Sequence, residues 1–278
     1  MTPPPVAADY AEALDNIGLG RFSLKIFLLA GLGWISDGAE AAVLSYMLPA
    51  LRQQHGLQEA DLGAISSLLS GAQALGAMFW GYCADTLGRR PSFLASVGLT
   101  ALLGMASAAS GGSLEAYVLL RALTGFAIGG NLPLAVTVTS ELLPPRYRDR
   151  ALVGLHLFYE AGALTSTGLA LLFMPDSCKP DTRCTWPLYL ALVAAPAACV
   201  SLLAVCHLPE SPVWLGSKGR HTEARAVLAL AVRGGRTSGA GAAPLEAAPP
   251  VCGSAEARGA LQAAPEEEEA PRAVREGG

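Results

Sequence analysis

Long apolar runs separated by short polar connectors dominate the chain as far as about Pro209. A hydrocarbon core of about 30 Å takes roughly 20 helical residues. Six runs reach that length, at 24–48, 62–82, 91–110, 116–140, 151–174 and 186–207. The connectors, 49–61, 83–90, 111–115, 141–150 and 175–185, are short and carry turn or charge signals. Short loops force neighbouring helices to run antiparallel, and an open sheet cannot satisfy its backbone in lipid. The pattern therefore predicts an all-α polytopic membrane protein with a six-helix domain over 22–209.

Lys and Arg near the span ends set the orientation. Arg21, Lys25, Arg89, Arg90, Arg146, Arg148, Arg150, Lys218 and Arg220 fall on one side, against Arg52, Lys179 and Arg183 on the other. The first side is expected to be cytoplasmic, and an even number of spans puts both termini there. Residues 1–21 read as a cytosolic N-terminal segment. It is rich in Pro and Ala and holds Asp9, Glu12 and Asp15, unlike a signal peptide. Residues 210–233 read as a cytosolic helical segment, because Ala, Val and Leu recur at helical spacing from Lys218 to Val232. Residues 234–278, made of Ala, Gly, Pro and Glu, lack the apolar content for a core and are expected to be disordered. Glu266–Glu269 reads as a solvated acidic stretch.

Composition supports this division. The chain is 52% hydrophobic with only 15% charged residues and a mean hydropathy of +0.40, averaged over the polar tail as well. The net charge of −4 says little, since membrane proteins are read by where charges fall. Enzyme signatures are missing: there is no phosphate-binding loop, no H-E-x-x-H and no G-x-S-x-G. Neither a cofactor nor a metal site nor a nucleic-acid partner is expected. Cys178 and Cys184 share the connector before the last span; they either form a disulfide on the outer side or remain two free thiols. Cys199 and Cys206 read as packing residues in the last span.

The 83–90 connector, with its flank, reads Gly81-Tyr-Cys-Ala-Asp85-Thr-Leu-Gly88-Arg89-Arg90. Gly81 would let a helix end pack closely, Gly88 permits a tight turn, and Arg89 and Arg90 hold the loop on the cytosolic side. Asp85 would sit near a helix N-terminus or the arginines. The segment resembles the major facilitator signature G-x-x-x-D-R-x-G-R-R, with Thr86 at the usual second Arg position. Span four, with Arg121, Gly125 and Gly129, is similar to that superfamily's R-x-x-x-G-x-x-x-G, in which the glycines allow close helix contact. Glu141-Leu-Leu-Pro-Pro-Arg-Tyr-Arg148 and Pro209-Glu210-Ser-Pro-Val-Trp214-Leu resemble motifs of its sugar-porter and organic-ion branches. Ile17–Phe22 and Gly33–Glu40 look like the synaptic-vesicle-2-related and niacin or organic-cation-like branch. The resemblance implies the N-terminal six-helix half of a transporter, with a cytosolic latch in which Glu141 and Glu210 pair with Arg89, Arg90 or Arg148. Asp149, where the family often has Gly, departs from that pattern.

Four ionisable residues fall inside the spans: Asp37, Glu40, Arg121 and Glu160. Each costs at least about 2.5 kcal/mol at mid-bilayer unless it has a partner or faces a cavity. At 1.5 Å per residue, Asp37 and Arg121 both lie roughly 20 Å from the cytosolic side, and Glu160 lies near the midplane. The resemblance puts spans one and four on a central cavity. With their similar depth, that points to an Asp37–Arg121 or a Glu40–Arg121 pair there, and Glu160, a third acid without an assigned partner, reads as cavity-lining. Burial favours the protonated carboxyl and a nearby arginine the ionised one, so an arginine that moves could couple transport to protons. A fixed buried ion pair with no transport role is the competing reading. His156 reads as a hydrogen-bonded packing residue, Trp34 as cavity-lining, and Trp80 and Trp186 as interfacial anchors.

The implied function is secondary, proton-coupled transport of a small organic solute by alternating access. Such folds pair two six-span halves around a midplane site. With one half present, the chain reads as a truncated product, a half that dimerises, or a half without transport activity. The low-complexity tail favours the first. The alternative is a non-transporting membrane scaffold or regulator that retains the fold.

Overall fold

The computed structural model describes residues 5–110, 113–174 and 186–234. The connector with Cys178 and Cys184 and the tail with Glu266–Glu269 lie outside the described residues. Nine helices follow one another in the described residues: α1 (Pro5–Ile17), α2 (Arg21–His55), α3 (Glu59–Thr86), α4 (Arg89–Ala108), α5 (Leu114–Leu142), α6 (Pro145–Phe173), α7 (Trp186–His207), α8 (Pro212–Ser217) and α9 (His221–Gly234).

Each long helix begins or ends where local chemistry dictates. α2 stops at Gly56, whose left-handed φ of 66° suits a residue without Cβ. α3 starts with a capping box between Gln58 and Asp61, so two otherwise orphaned N–H groups are satisfied. Ser113 caps α5 by accepting from the Ala116 N–H, and Pro145 opens α6 at a position that needs no donor. Pro49, Pro133 and Pro196 lie inside α2, α5 and α7. Helices supported by neighbours tolerate such prolines in a membrane. Consequently α2 runs past the expected end at residue 48 and continues through Pro49 to His55.

Five helices, α2, α3, α4, α5 and α7, are long and apolar enough to cross a bilayer. α6 is equally long at 29 residues but more polar, since Arg146, Arg148, Asp149 and Arg150 fill its first turns and His156 and Glu160 follow. It packs in the bundle with the others, most heavily against α2.

Two glycine seams set the closest contacts. Along α2–α6, Gly38 abuts the Tyr159 carbonyl and Gly162 abuts the Ile35 carbonyl, so each helix presses backbone to backbone. Along α3–α5, Gly129 faces the Gln73 carbonyl and Gly76 the Phe126 carbonyl. A methyl group at any of the four would overlap the opposing oxygen. Small residues permit this approach where lipid tails offer no hydrophobic drive for association. Gly125 is looser, with Leu69 O 3.2 Å from a would-be Cβ. Gly81, expected to allow close packing, meets nothing within 4 Å among the described residues.

The three tryptophans are placed differently from expectation. Trp34 is buried against the rings of His156 and Tyr159 instead of lining an open cavity. Trp80 is buried and donates its indole N–H to Phe126 O at 3.2 Å, and Trp186 is buried edge-on to Tyr117. Tertiary packing against α5 claims both rings. Cys199 and Cys206 are exposed on α7, not packed, while Cys83 is buried.

α1, α8 and α9 pack together on the end of the bundle that gathers the arginines, called here the basic end. Leu14 and Tyr10 of α1 are buried in the same apolar cluster as Trp214, Leu215 and Leu228. Tyr10 hydrogen-bonds His221 at 3.2 Å, and Asp15 pairs with Arg146 at 2.8 Å. α1 was not expected, because its Ala and Pro content hid an amphipathic turn pattern.

The seams give a test. Gly129→Leu should cost about 1–3 kcal/mol or more and lower the Tm of the detergent-purified chain. Gly81→Ala should leave Tm unchanged or raise it slightly, since no neighbour is displaced and helix propensity improves by up to about 1 kcal/mol.

Candidate functional site

Asp37, Glu40 and Arg121 are all buried, at 1%, 4% and 5% exposure, and they are the only charged side chains so enclosed among the described residues. Glu40 of α2 and Arg121 of α5 form a direct ion pair through Oε2 and Nη1. Arg121 Nη2 also donates to Ser107 Oγ of α4 at 2.7 Å, and the guanidinium lies 5.8 Å from the Tyr117 ring centre. Of the two pairings open from the sequence, Glu40–Arg121 is the one formed.

Asp37 has a different partner. Asn131 of α5 donates from Nδ2 to Asp37 Oδ1 at 2.8 Å. Ser96 of α4 donates its hydroxyl to Asn131 Oδ1, and Thr100 Oγ1 lies 3.3 Å from Asn131 Nδ2. Residue 37 thus meets residue 131 while residue 40 meets residue 121. The later α2 position takes the earlier α5 position, as antiparallel neighbours require. Asp37 Oδ2, Glu40 Oε1 and Arg121 Nε have no hydrogen-bond partner among the described residues.

Glu160 stands apart. It is exposed on α6 and makes no hydrogen bond or ion pair among the described residues. His156, one turn earlier, is exposed too; its Nδ1 bonds to Leu152 O at 3.0 Å and its ring sits edge-on to Trp34. Sequence reasoning picked the charged members of the buried group but missed Asn131, Ser96, Thr100 and Ser107. Uncharged polar residues at matching depths in the third and fourth apolar runs, α4 and α5, were the available signal.

At the basic end the signature loop is held from several sides. Arg89 makes a two-pronged contact with Glu141, both at 3.3 Å, and reaches Asp85 at 2.6 Å. Gly88 precedes α4 with φ 120°, and a Cβ there would meet Glu210 Oε2. Glu210 does not pair with an arginine side chain as expected. Its carboxylate accepts the backbone N–H groups of Arg89 at 2.9 Å and Arg90 at 3.1 Å, capping α4 where the helix dipole favours a negative charge. Arg90 donates instead to Val205 O at 2.9 Å, and Arg148 to Leu143 O at 3.2 Å. Each arginine thereby ties a carbonyl at a neighbouring helix end. Thr86, where the signature has Arg, bonds back to Tyr82 O at 2.9 Å. Trp214 of α8 donates to Asp85 O at 3.1 Å and closes the cluster.

Residues 32–240 match the family model for the sugar (and other) transporter family. The chain belongs to that family, a family of transporters and not of enzymes, and is a multi-pass integral membrane protein corresponding to the N-terminal half of a major facilitator fold. It is 30% identical over 226 residues to organic cation/carnitine transporter 7 of Arabidopsis thaliana, covering 81% of this chain and 43% of that relative. Niacin transporter NiaP of Acinetobacter baylyi is 29% identical, with 78% of this chain and 47% of NiaP covered. Mouse synaptic vesicle glycoprotein 2B is 29% identical, over 80% of this chain and 33% of that protein. The chain spans less than half the length of these curated relatives. Its fold matches the proton:xylose symporter XylE with a TM-score of 0.68 at 23% identity, covering 77% of this chain and 50% of XylE. XylE from E. coli in a partially occluded inward open conformation gives 0.65 at 21% identity, over 77% and 55%.

Breaking the buried pair is costly because the remaining charge stays buried without its counter-charge. Glu40→Gln should destabilise the chain by about 3–5 kcal/mol, and Glu40→Gln/Arg121→Met should recover most of that loss in thermal unfolding. Gly88→Ala should displace Glu210 from the α4 terminus and lower Tm, whereas Glu141→Gln, at a partly solvated pair, should cost about 1 kcal/mol.

Proposed function

We propose that the chain forms the six-span half of a secondary transporter that moves a small organic solute by alternating access, coupled to protons. In this reading α6 is also a span, the fifth of six in chain order, the basic end is cytoplasmic and both termini lie there. The second wall of the pathway comes from another six-span unit, either further sequence or a second copy of this chain. The observation that carries the reading is the buried Asp37–Glu40–Arg121 group, deep in helices otherwise apolar enough to span a bilayer. With all three ionised, it holds one net negative charge, which is expensive in a dry bundle and suited to binding a proton.

Exposed Glu160 and His156 fit the face that turns to the central cavity, because a carboxylate facing lipid would be penalised. The Arg89–Glu141 pair and the Glu210 cap fit a latch at the cytoplasmic end. Several contacts there act together, the partly buried Arg89–Glu141 pair with the exposed Arg89–Asp85 pair, which alone contributes only about 0–1 kcal/mol. The relatives' names refer to organic cations, carnitine and niacin, and XylE's to xylose. These define a panel of small organic solutes to try.

Liposomes reconstituted with the full chain should accumulate labelled xylose, niacin or carnitine above empty vesicles under an inward proton gradient. A protonophore should abolish the accumulation, and Asp37→Asn should reduce it at least about tenfold, as expected when an essential proton-transfer group is removed. No accumulation of any of the three, with a monomeric mass in detergent, would point to the non-transporting scaffold.

A further inference from the structure

The three buried charges divide into two units, and an uncharged residue decides how. We infer that Asn131 is the positioning residue of the coupling site. It presents Asp37 as the carboxylate that takes the proton, while Glu40 and Arg121 remain a fixed ionised pair. The inference rests on the proton-coupled reading above and specifies which acid changes state.

Glu40 is committed to Arg121 by direct contact of Oε2 with Nη1. A proton on Glu40 would strand the guanidinium in the interior with only Ser107 and the Tyr117 ring for company. Removing one member of a buried pair is the costly direction. Asp37 has no cation beside it. Its Oδ1 is held by Asn131, and its buried Oδ2 has no partner among the described residues. A proton added at Oδ2 cancels the group's one excess charge and disrupts no existing contact.

The hydrogen-bond directions single out Asn131. The Ser96 hydroxyl has two acceptors within reach, Asn131 Oδ1 and Phe93 O at 3.2 Å, and neither is Asp37; with the amide oxygen against Ser96, the NH2 of Asn131 faces Asp37. The Thr100 hydroxyl donates to Ser96 O at 2.9 Å, leaving its oxygen free to accept from Asn131 Nδ2 at 3.3 Å. Both α4 hydroxyl protons are thus used elsewhere, and Asn131 is the donor that reaches the carboxylate. The other titratable groups around Asp37 are Glu40 on its own helix and Tyr159 from α6. Arg121 of α5 turns to Glu40, Tyr189 of α7 lies beside that pair, and α4 offers Ser96 and Thr100. Asn131 acts through Asp37 and makes no claim on the solute.

The test is the Tm of the detergent-purified full chain as a function of pH, which needs no transport. Wild type should show a one-proton dependence that disappears in Asp37→Asn. Asn131→Leu should displace its midpoint by about one pH unit or more, the size of a hydrogen bond to a charged group. Asn131→Thr, which keeps a polar partner for Ser96 but is too short for Asp37, should do the same should the leucine variant fail to fold. The exchange Asp37→Asn/Asn131→Asp should restore a one-proton dependence, and Glu40→Gln should lower Tm with that dependence intact. A dependence that survives Asp37→Asn, vanishes with Glu40→Gln, or keeps its midpoint in both Asn131 variants overturns the assignment. Proton binding of the expected form without solute accumulation would uphold Asn131 and sink the transport reading. Accumulation with an unmoved midpoint would do the reverse.

Discussion

A charge carried into the interior of this bundle must bring a counter-charge or a donor with it, and the register of three helices follows from meeting that demand. Glu40 and Asp37 on α2 find Arg121 and Asn131 on α5, and α4 supplies Ser107 to the first pair and Ser96 to the second. The two contacts lie at different heights, so sliding α2 along α5 would break both. Apolar packing against lipid-like surroundings cannot fix register this way, because one apolar ridge replaces another at little cost.

Around this polar spine, backbone contacts do the remaining close packing. The reciprocal glycines of α2–α6 and α3–α5 bring two outer helices against the two central ones. The arrangement leaves most of α3 and one face of α6 exposed, including Leu75, Met78, Leu157, Leu164 and Glu160. An apolar surface of this kind is natural for lipid. Glu160 is the carboxylate that interrupts it on α6.

The basic end works on a different principle. Its contacts are made to backbone as often as to side chains: Glu210 to the N–H groups of α4, Arg90 and Arg148 to carbonyls at helix ends, Trp214 to Asp85 O. These groups satisfy helix termini that would otherwise be orphaned. The cluster therefore joins α3, α4, α5, α7 and α8 where their hydrogen-bond ladders run out, and α1 reaches it through α8 and Arg146.

Much of this was legible in the sequence. Apolar run length located the long helices, because the bilayer's thickness sets how many residues a span needs. Gly88-Arg89-Arg90 marked the loop, and the rarity of charge in such runs exposed Asp37, Glu40 and Arg121 as candidates. The sequence by itself determined that these charges need partners. Only the tertiary structure decided which: Arg121 took Glu40, Asp37 took Asn131, and Glu210 took backbone instead of arginine. Partner choice depends on helix rotation and on distances below 3 Å, which residue spacing along one strand of chain does not contain. Trp34, Trp80 and Trp186 make the same point from the apolar side. The first suits a cavity wall and the other two an interface, but the space between packed helices, set in part by close-packing glycines such as Gly130 against Trp80, drew all three inside.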